Sequence, residues 1–267
     1  MKRILFQTHS WLALIAFIPL LVISLSGAVL VFKPEIDRVL LSDRAVLPAD
    51  TTGDRMSLDA LLLIINNRFT DYELGSWEVF DDHTDADRVY LIERGTDEWY
   101  KVHLNPYTGD ILSTPALLDH YFTDWLLELH YNFLVEIPGM VFASFIGVFF
   151  TLLGITGIYL YWKFYVRFFT LRWNSSLLVY FSDLHKMIGI VASPMLLIVG
   201  ITGAYYNITF SWHEITEHVG QPPHSVDRRL YNDQLSIQAM HDDSIERIEG
   251  FVPTYLLMPV EEEIDYI

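Results

Sequence analysis

The sequence predicts an α-helical integral membrane protein, a bundle of three transmembrane helices carrying a small outward α+β domain. Three observations predict it. Hydrophobic residues make up 52% of the 267, high for a soluble chain. Residues 4–32, 137–162 and 187–212 contain no Asp, Glu, Lys or Arg, and each exceeds the roughly 20 residues a helix needs to cross a bilayer. Between the first two spans, short alternating segments follow a helical one, the pattern of a small mixed module.

The elements follow in chain order. Residues 1–32 form span one. Lys2 and Arg3 precede it and Ser24-Leu25-Ser26 loosely resembles a cleavage site, but apolar sequence runs on to Phe32, so the segment reads as an uncleaved anchor. Residues 33–113 are the outward module. It opens with a polar connector broken by Pro and Gly, KPEIDRVLLSDRAVLPADTTGDR. SLDALLLIINNRF then has apolar residues at helical spacing behind a Ser N-cap. SWEVFDD, DRVYLIER and EWYKVHLN alternate as strands, and NPYTGDIL supplies a tight turn. Residues 114–135 begin with Thr before Pro, a favoured helix start, and predict one amphipathic helix with aromatics suited to a headgroup layer.

Residues 136–162 are span two, 163–186 a cytoplasmic link and 187–212 span three. In the remainder, 213–267, NDQLSIQAMHDDSIERI resembles a weaker SLDALLLIINNRF, with Leu235 matching Leu61 at an offset of 174, and FVPTYLLMP begins a strand. This segment predicts the start of an incomplete second module.

Charge sets the expected orientation. The link carries Lys163, Arg167, Arg172 and Lys186 against Asp183 alone, and the N-terminus carries Lys2 and Arg3, which puts both on the cytoplasmic side and the C-terminus outside. Residues 33–136 then face outward with 8 basic and 21 acidic residues of a chain whose net charge is -17. That field disfavours nucleic acid and anionic lipid. With no cysteine, thiolate ligation and iron–sulfur clusters are excluded, and redox or metal chemistry falls to His, carboxylate, Tyr or Met. No phosphate loop, dinucleotide fingerprint, HExxH or nucleophile elbow is present.

Spans one and three repeat each other. QTHSWLALIAFIPLLVISLSGA and DLHKMIGIVASPMLLIVGITGA align without a gap at an offset of 176, matching His9 to His185, Ala16 to Ala192 and Gly27-Ala28 to Gly203-Ala204. Parallel repeats are related by an axis along the membrane normal, so equivalent residues lie at one depth and face each other across it. A planar ligand between His9 and His185 would receive an imidazole from each side, the geometry of a six-coordinate haem iron. Intramembrane ionisable residues are functional by default, although a duplicated helix-capping histidine would also be copied. Gly27, Ala28, Gly203 and Ala204 lie about 27 Å further along and predict close helix packing, and Pro19 and Pro194 predict bends. His83, His103, His120, His224 and His241 read as lying in polar loops or on surfaces, with no metal spacing.

Three stretches carry a family resemblance: H-x-W-L-x-L-I with a later S-G-A in span one, V-H-L-N-P-Y-T-G-D-I-L in the outward module, and L-H-x-x-x-L before span two with L-H-K and T-G-A-Y-Y in span three. Over nearly its whole length the chain resembles the PepSY-associated transmembrane family, bacterial inner-membrane proteins that include ferric-siderophore reductases. The resemblance implies an outward PepSY-like module and haem b held by pairs of transmembrane histidines. His9 and His185 would be one pair and His130 an outer ligand. Family members generally have four spans, the last preceded by another Leu-His. At the repeat offset both that span and the partner of His130 fall beyond Ile267, so a truncated relative or fragment is expected; His213 and His218 are the substitutes to test.

Function follows in three forms. The first is electron transfer from the cytoplasm or the quinone pool to ferric iron or a ferric siderophore outside, a haem-dependent reductase in the bilayer. The second is an anchored, non-enzymatic PepSY binding or regulatory module. The third is an accessory to siderophore uptake whose acidic surface gathers cations. Sequence leaves the electron donor, the chelate and the oligomeric state open.

Overall fold

The structure, a computed structural model, describes residues 2–48, 51, 53–80, 83–163, 171–218, 225–232 and 234–260. Arg167 and His224 lie outside them. The chain divides into two compact units, Met1–Val31 with Leu126–Val219, and Phe32–Trp125 with Gly220–Ile267.

The first unit is built on three helices long and apolar enough to cross a membrane: α1 (Lys2–Leu30), α5 (Glu136–Leu160) and α6 (Leu177–His218). α1 packs on α5, and α5 on α6. Small residues set the second contact: a Cβ on Gly147 would stand 3.1 Å from Ala204, one on Gly154 2.8 Å from Leu197, and one on Gly200 2.8 Å from Thr151. Without a hydrophobic drive between helices in lipid, such close approach is how they gain packing energy. Phe17, Ile18, Met195 and Ile198 are exposed on the outside of the bundle, where lipid tails would cover them. Pro19 and Pro194 sit inside helices that run on past them.

α6 spans 42 residues, so its first ten belong to the expected cytoplasmic link. Arg172 donates twice to Asp183 on that first stretch, at 2.7 and 2.8 Å, which fastens the preceding turn to the helix.

The second unit holds α2 (Lys33–Leu40), α3 (Leu58–Arg68), β1 (Tyr72–Glu78), β2 (Asp87–Glu93), β3 (Trp99–Leu104), β4 (Ala116–Leu117), the start of α4 (Phe122–Asn132), α7 (Ile237–Arg247) and β5 (Tyr255–Leu257). The sheet is antiparallel throughout in the order β4-β3-β2-β1-β5. Leu58, Leu61 and Ile65 of α3 and Ile237 of α7 pack over Leu74, Trp77, Val89, Leu91, Val102 and Leu104. Ser57 caps α3 by accepting from the Ala60 amide, as its sequence predicts. In the turn after β3, Asn105 Oδ1 accepts from the Tyr107 and Thr108 amides, and Gly109 takes a φ of +76°, which a side chain would strain.

Two local expectations are corrected. The connector after span one contains α2, a two-turn helix with Pro34 in its first turn, Glu35 near its N-terminus and Arg38 near its end, an arrangement its dipole favours. The single helix expected over 114–135 is instead a strand and a shorter helix. Lys101 and Tyr100 pair with Ala116 and Leu117, drawing the segment after Pro115 onto the sheet edge, and α4 starts only at Phe122. It ends at Asn132 because Phe133 and Leu134 take φ of 55° and 63°; Asn132 Oδ1 accepts from the Leu134 amide to hold the turn.

The α7–β5 segment forms the predicted helix and strand, but its repeat register is 179, not 174. Ser236 caps α7 through the Ala239 amide as Ser57 caps α3. The caps are also exchanged. Asp59 accepts from the Ile237 amide, and Gln238, its equivalent, accepts from the Leu58 amide. The Ser236 hydroxyl, with the Gln238 and Ile237 amides, holds the Asp59 carboxyl below the usual carboxylate range. In the sheet, Met258 donates to Gly75 and Val79 to Thr254, again equivalent pairs, around Trp77 opposite Leu256. A local two-fold therefore relates α3–β1 to α7–β5 and docks the two against each other. Leu235, matched to Leu61 by its apolar character, precedes α7 and is exposed.

Beside the sheet lies a buried charge cluster that sequence reading missed. Lys33 Nζ donates to Asp37 (2.9 Å), Thr123 (2.7 Å) and Asp124 (2.7 Å); Lys101 Nζ reaches the other oxygen of Asp124, and the Thr123 hydroxyl donates to Asp37. Two cations and two anions balance, and Lys101 also lies over the Tyr121 ring. Burial alone would raise the Asp124 carboxyl, but Lys101 and Lys33 hold it below the usual range.

Candidate functional site

His9 lies on the first turns of α1 and His185 on the part of α6 before its apolar stretch. Their imidazole centroids are 6.5 Å apart and their planes cross at 70°. The gap-free repeat does bring its two histidines together. His9 is half-buried and His185 exposed.

A third helix completes the surroundings of His9. Its Nδ1 lies 2.8 Å from the Thr156 hydroxyl on α5. At the next residue, a Cβ on Gly157 would stand 3.5 Å from the same ring, so the glycine leaves the imidazole ordinary room. Thr156 carried no motif. Only the packing of α1 on α5 selects it.

The arrangement suits a metal held from two sides. Imidazole nitrogen binds first-row metals at about 2.0–2.1 Å, and with about 1 Å more to the ring centre, two imidazoles on opposite faces of one metal hold centroids about 6 Å apart. The 6.5 Å separation matches that spacing. Among the described residues no three His, Asp or Glu side chains gather as a metal site. A pair of imidazoles alone fills two positions of a metal and leaves the others to another ligand.

His130 sits at the other histidine position, on α4 against α1. Its Nδ1 is 3.0 Å from the Ser26 hydroxyl and 3.0 Å from the Ile23 carbonyl. Gly27 makes the space: a Cβ there would stand 2.8 Å from Cε1 of the ring. Gly27, expected as a helix-packing feature, is together with Ser26 a seat for His130. Among the described residues no second histidine is in ring contact with it. His213 is exposed near the end of α6, and the side chain of His218 lies outside the described residues.

Of the other described histidines, His83, His120 and His241 fall where the sequence expects them, and His103, expected in a polar loop or on the surface, does not. His83 stacks on Tyr107 at 4.9 Å, His120 meets Tyr121 edge-on, and His241 lies beside Asp242. His103 differs: it is 1% exposed, its Nδ1 is 3.3 Å from the Ser113 hydroxyl, and burial, aided by Lys101, pushes it down to about 3. It is a neutral core residue of β3.

The fold and the histidine geometry define a helical membrane protein that carries an α+β module on its membrane-spanning helices. Residues 6–248 match the model of the PepSY-associated TM region, and the chain belongs to that family. An uncharacterised protein of Pseudomonas aeruginosa is 38% identical over 81 residues, which is 30% of this chain and 21% of that relative. The matched stretch thus spans about a fifth of the relative's length.

Proposed function

We propose that this chain is a b-type haem protein of the bacterial inner membrane that carries electrons across the bilayer to ferric iron, as the ion or a siderophore chelate, at the outer face. The observation that carries this reading is the 6.5 Å separation of His9 and His185 on two repeat-related helices. When bound, haem supplies a one-electron carrier within the apolar layer. His9 and His185 would hold the iron, the helices would exclude water, and Thr156 would orient His9. Each ferric ion takes one electron to become ferrous. A quinol donor loses two electrons and two protons on oxidation to quinone and so serves two ferric ions. Release follows because hard oxygen ligands hold the divalent ion less tightly.

The charges at the ends of the spans support the orientation. Lys2 and Arg3 precede α1, and Lys163, Arg172 and Lys186 lie between α5 and the apolar part of α6, which favours the cytoplasm for these ends. The α+β unit then faces outward with its acidic surface, a field that favours cationic iron.

The visible spectrum of the full chain in detergent, from cells supplied with haem, tests the proposal. A Soret band with sharpened bands after dithionite, lost in His9→Ala and His185→Ala, is expected, as is oxidation of the reduced protein by a ferric chelate. A colourless preparation overturns it and leaves an anchored PepSY binding module.

A further inference from the structure

The hydroxyl groups beside His9 and His130 share an arrangement that decides where each imidazole carries its proton. Thr156 Oγ1 lies 2.6 Å from the Leu152 carbonyl, one turn back on its own helix. Two oxygens that close need a proton between them, and a carbonyl has none to give. The Thr156 proton is therefore committed to Leu152. Toward His9 Nδ1, at 2.8 Å, the hydroxyl can only accept. Nδ1 of His9 must carry the hydrogen, and Nε2 keeps its lone pair.

The same logic holds at His130 with different residues. Ser26 Oγ lies 2.8 Å from the Val22 carbonyl and donates to it. His130 Nδ1 faces both that oxygen and the Ile23 carbonyl, each at 3.0 Å. Neither can donate, so Nδ1–H is again required. A histidine ligand whose other nitrogen donates to a fixed acceptor is held in one tautomer and orientation, with its coordinating nitrogen made more basic. The neutral histidine side chain free in water favours the opposite tautomer, with the proton on Nε2, so the protein has to impose this one.

We propose that Thr156 and Ser26, the latter with the Ile23 carbonyl, are positioning residues that lock His9 and His130 in the Nδ1–H tautomer and reserve Nε2 of each for a metal. The tautomer lock stands on the hydrogen bonds alone; its use in metal binding rests on the haem reading above. Two sites on different helix pairs, one with Thr on α5 and one with Ser on α1, use one device. Thr156 lies outside the repeat alignment that singles out His9 and His185, and Ser26 lies within it, opposite Thr202.

The test is nitrogen NMR of the full chain in detergent, 15N-labelled at histidine, haem-free, at a pH where the rings are neutral. Long-range 15N–1H correlations distinguish a protonated Nδ1 from a protonated Nε2. The expected result is Nδ1–H at His9 and His130. Thr156→Val, close in shape but without an acceptor, should move His9 to the Nε2–H form, and Thr156→Ser should restore it. Ser26→Ala should move His130 less, because the Ile23 carbonyl remains. Nε2–H at His9 in the unaltered protein, or no change in Thr156→Val, overturns the lock, and the first of these decides the matter even where the variant does not fold. In haem-loaded protein, Thr156→Val should weaken haem retention about tenfold or more. The lock observed in a protein that takes up no haem leaves it standing and removes the haem reading; haem bound with Nε2–H at His9 does the reverse.

Discussion

His103 and the membrane-unit histidines show what burial does and does not say about a histidine. His103 is the most enclosed histidine among the described residues, walled by β3, Ser113 and the Tyr121 ring. His9, only half-buried, faces His185 and has one nitrogen committed to Thr156. His130 has the same commitment to Ser26 and Ile23, without a second imidazole against it among the described residues. Enclosure makes a neutral core residue. A ligand needs one nitrogen held, the other free, and something opposite.

On the proposed haem reading, the comparison is broken most directly at the metal. His9→Ala or His185→Ala should abolish the Soret band of haem-loaded protein, while His103→Gln should leave it unchanged; a pyridine haemochrome assay per mole of protein measures this. Loss of haem in His103→Gln with the fold intact would remove the distinction.

The enclosure of His103 leans on its charged neighbours. Asp124→Ala would leave Lys101 and Lys33 without their shared carboxylate, and breaking a buried pair from one side costs about 3–5 kcal/mol. Denaturant unfolding followed by tryptophan fluorescence should show it, with the haem spectrum of the folded fraction unaltered.

Gly27 and Gly157 separate a required glycine from a tolerant one. Gly27→Val puts atoms where the His130 ring stands and should cost about 1–3 kcal/mol of overpacking, with displaced His130 resonances. Gly157→Ala meets His9 at an ordinary contact distance and should leave the His9 resonances and haem uptake near the unaltered protein's.

A further effect is in pH. His103 stays neutral in the fold down to about pH 3, while the unfolded chain takes up its proton near the ordinary value of about 6.5. Its contribution is complete above that value and is lost as pH falls through the window between them. The slope is at most about 1.4 kcal/mol per pH unit near pH 4–6. Unfolding midpoints across this range should flatten in His103→Gln. An unchanged slope would assign the acid sensitivity to carboxylates instead.

Much of the fold was legible because its signals are local. An 18-residue apolar run has few alternatives to a membrane span, and Ser57 or the Asn105–Gly109 turn act within four residues of themselves. The misread segments depend on distant partners. Ala116 and Leu117 are a strand only because Lys101 and Tyr100 lie beside them, and α4 stops at Asn132 without a Gly or Pro to announce it. In the second half, apolar matching set Leu235 against Leu61, whereas the shared caps at Ser57 and Ser236 carry the true register.

What the sequence by itself determined is the class of molecule and the identity of the histidines: three spans, one α+β module, and His9 paired with His185 by a repeat that survives without a gap. Tertiary structure alone decided the rest of each site. Thr156, Ser26 and Ile23 act on imidazoles more than a hundred positions away in the chain, and Asp59 and Gln238 exchange caps across a similar gap. A hydroxyl or carbonyl has no periodicity to betray such a role. Its meaning is set by the direction of its one proton or lone pair, and that exists only once helices pack.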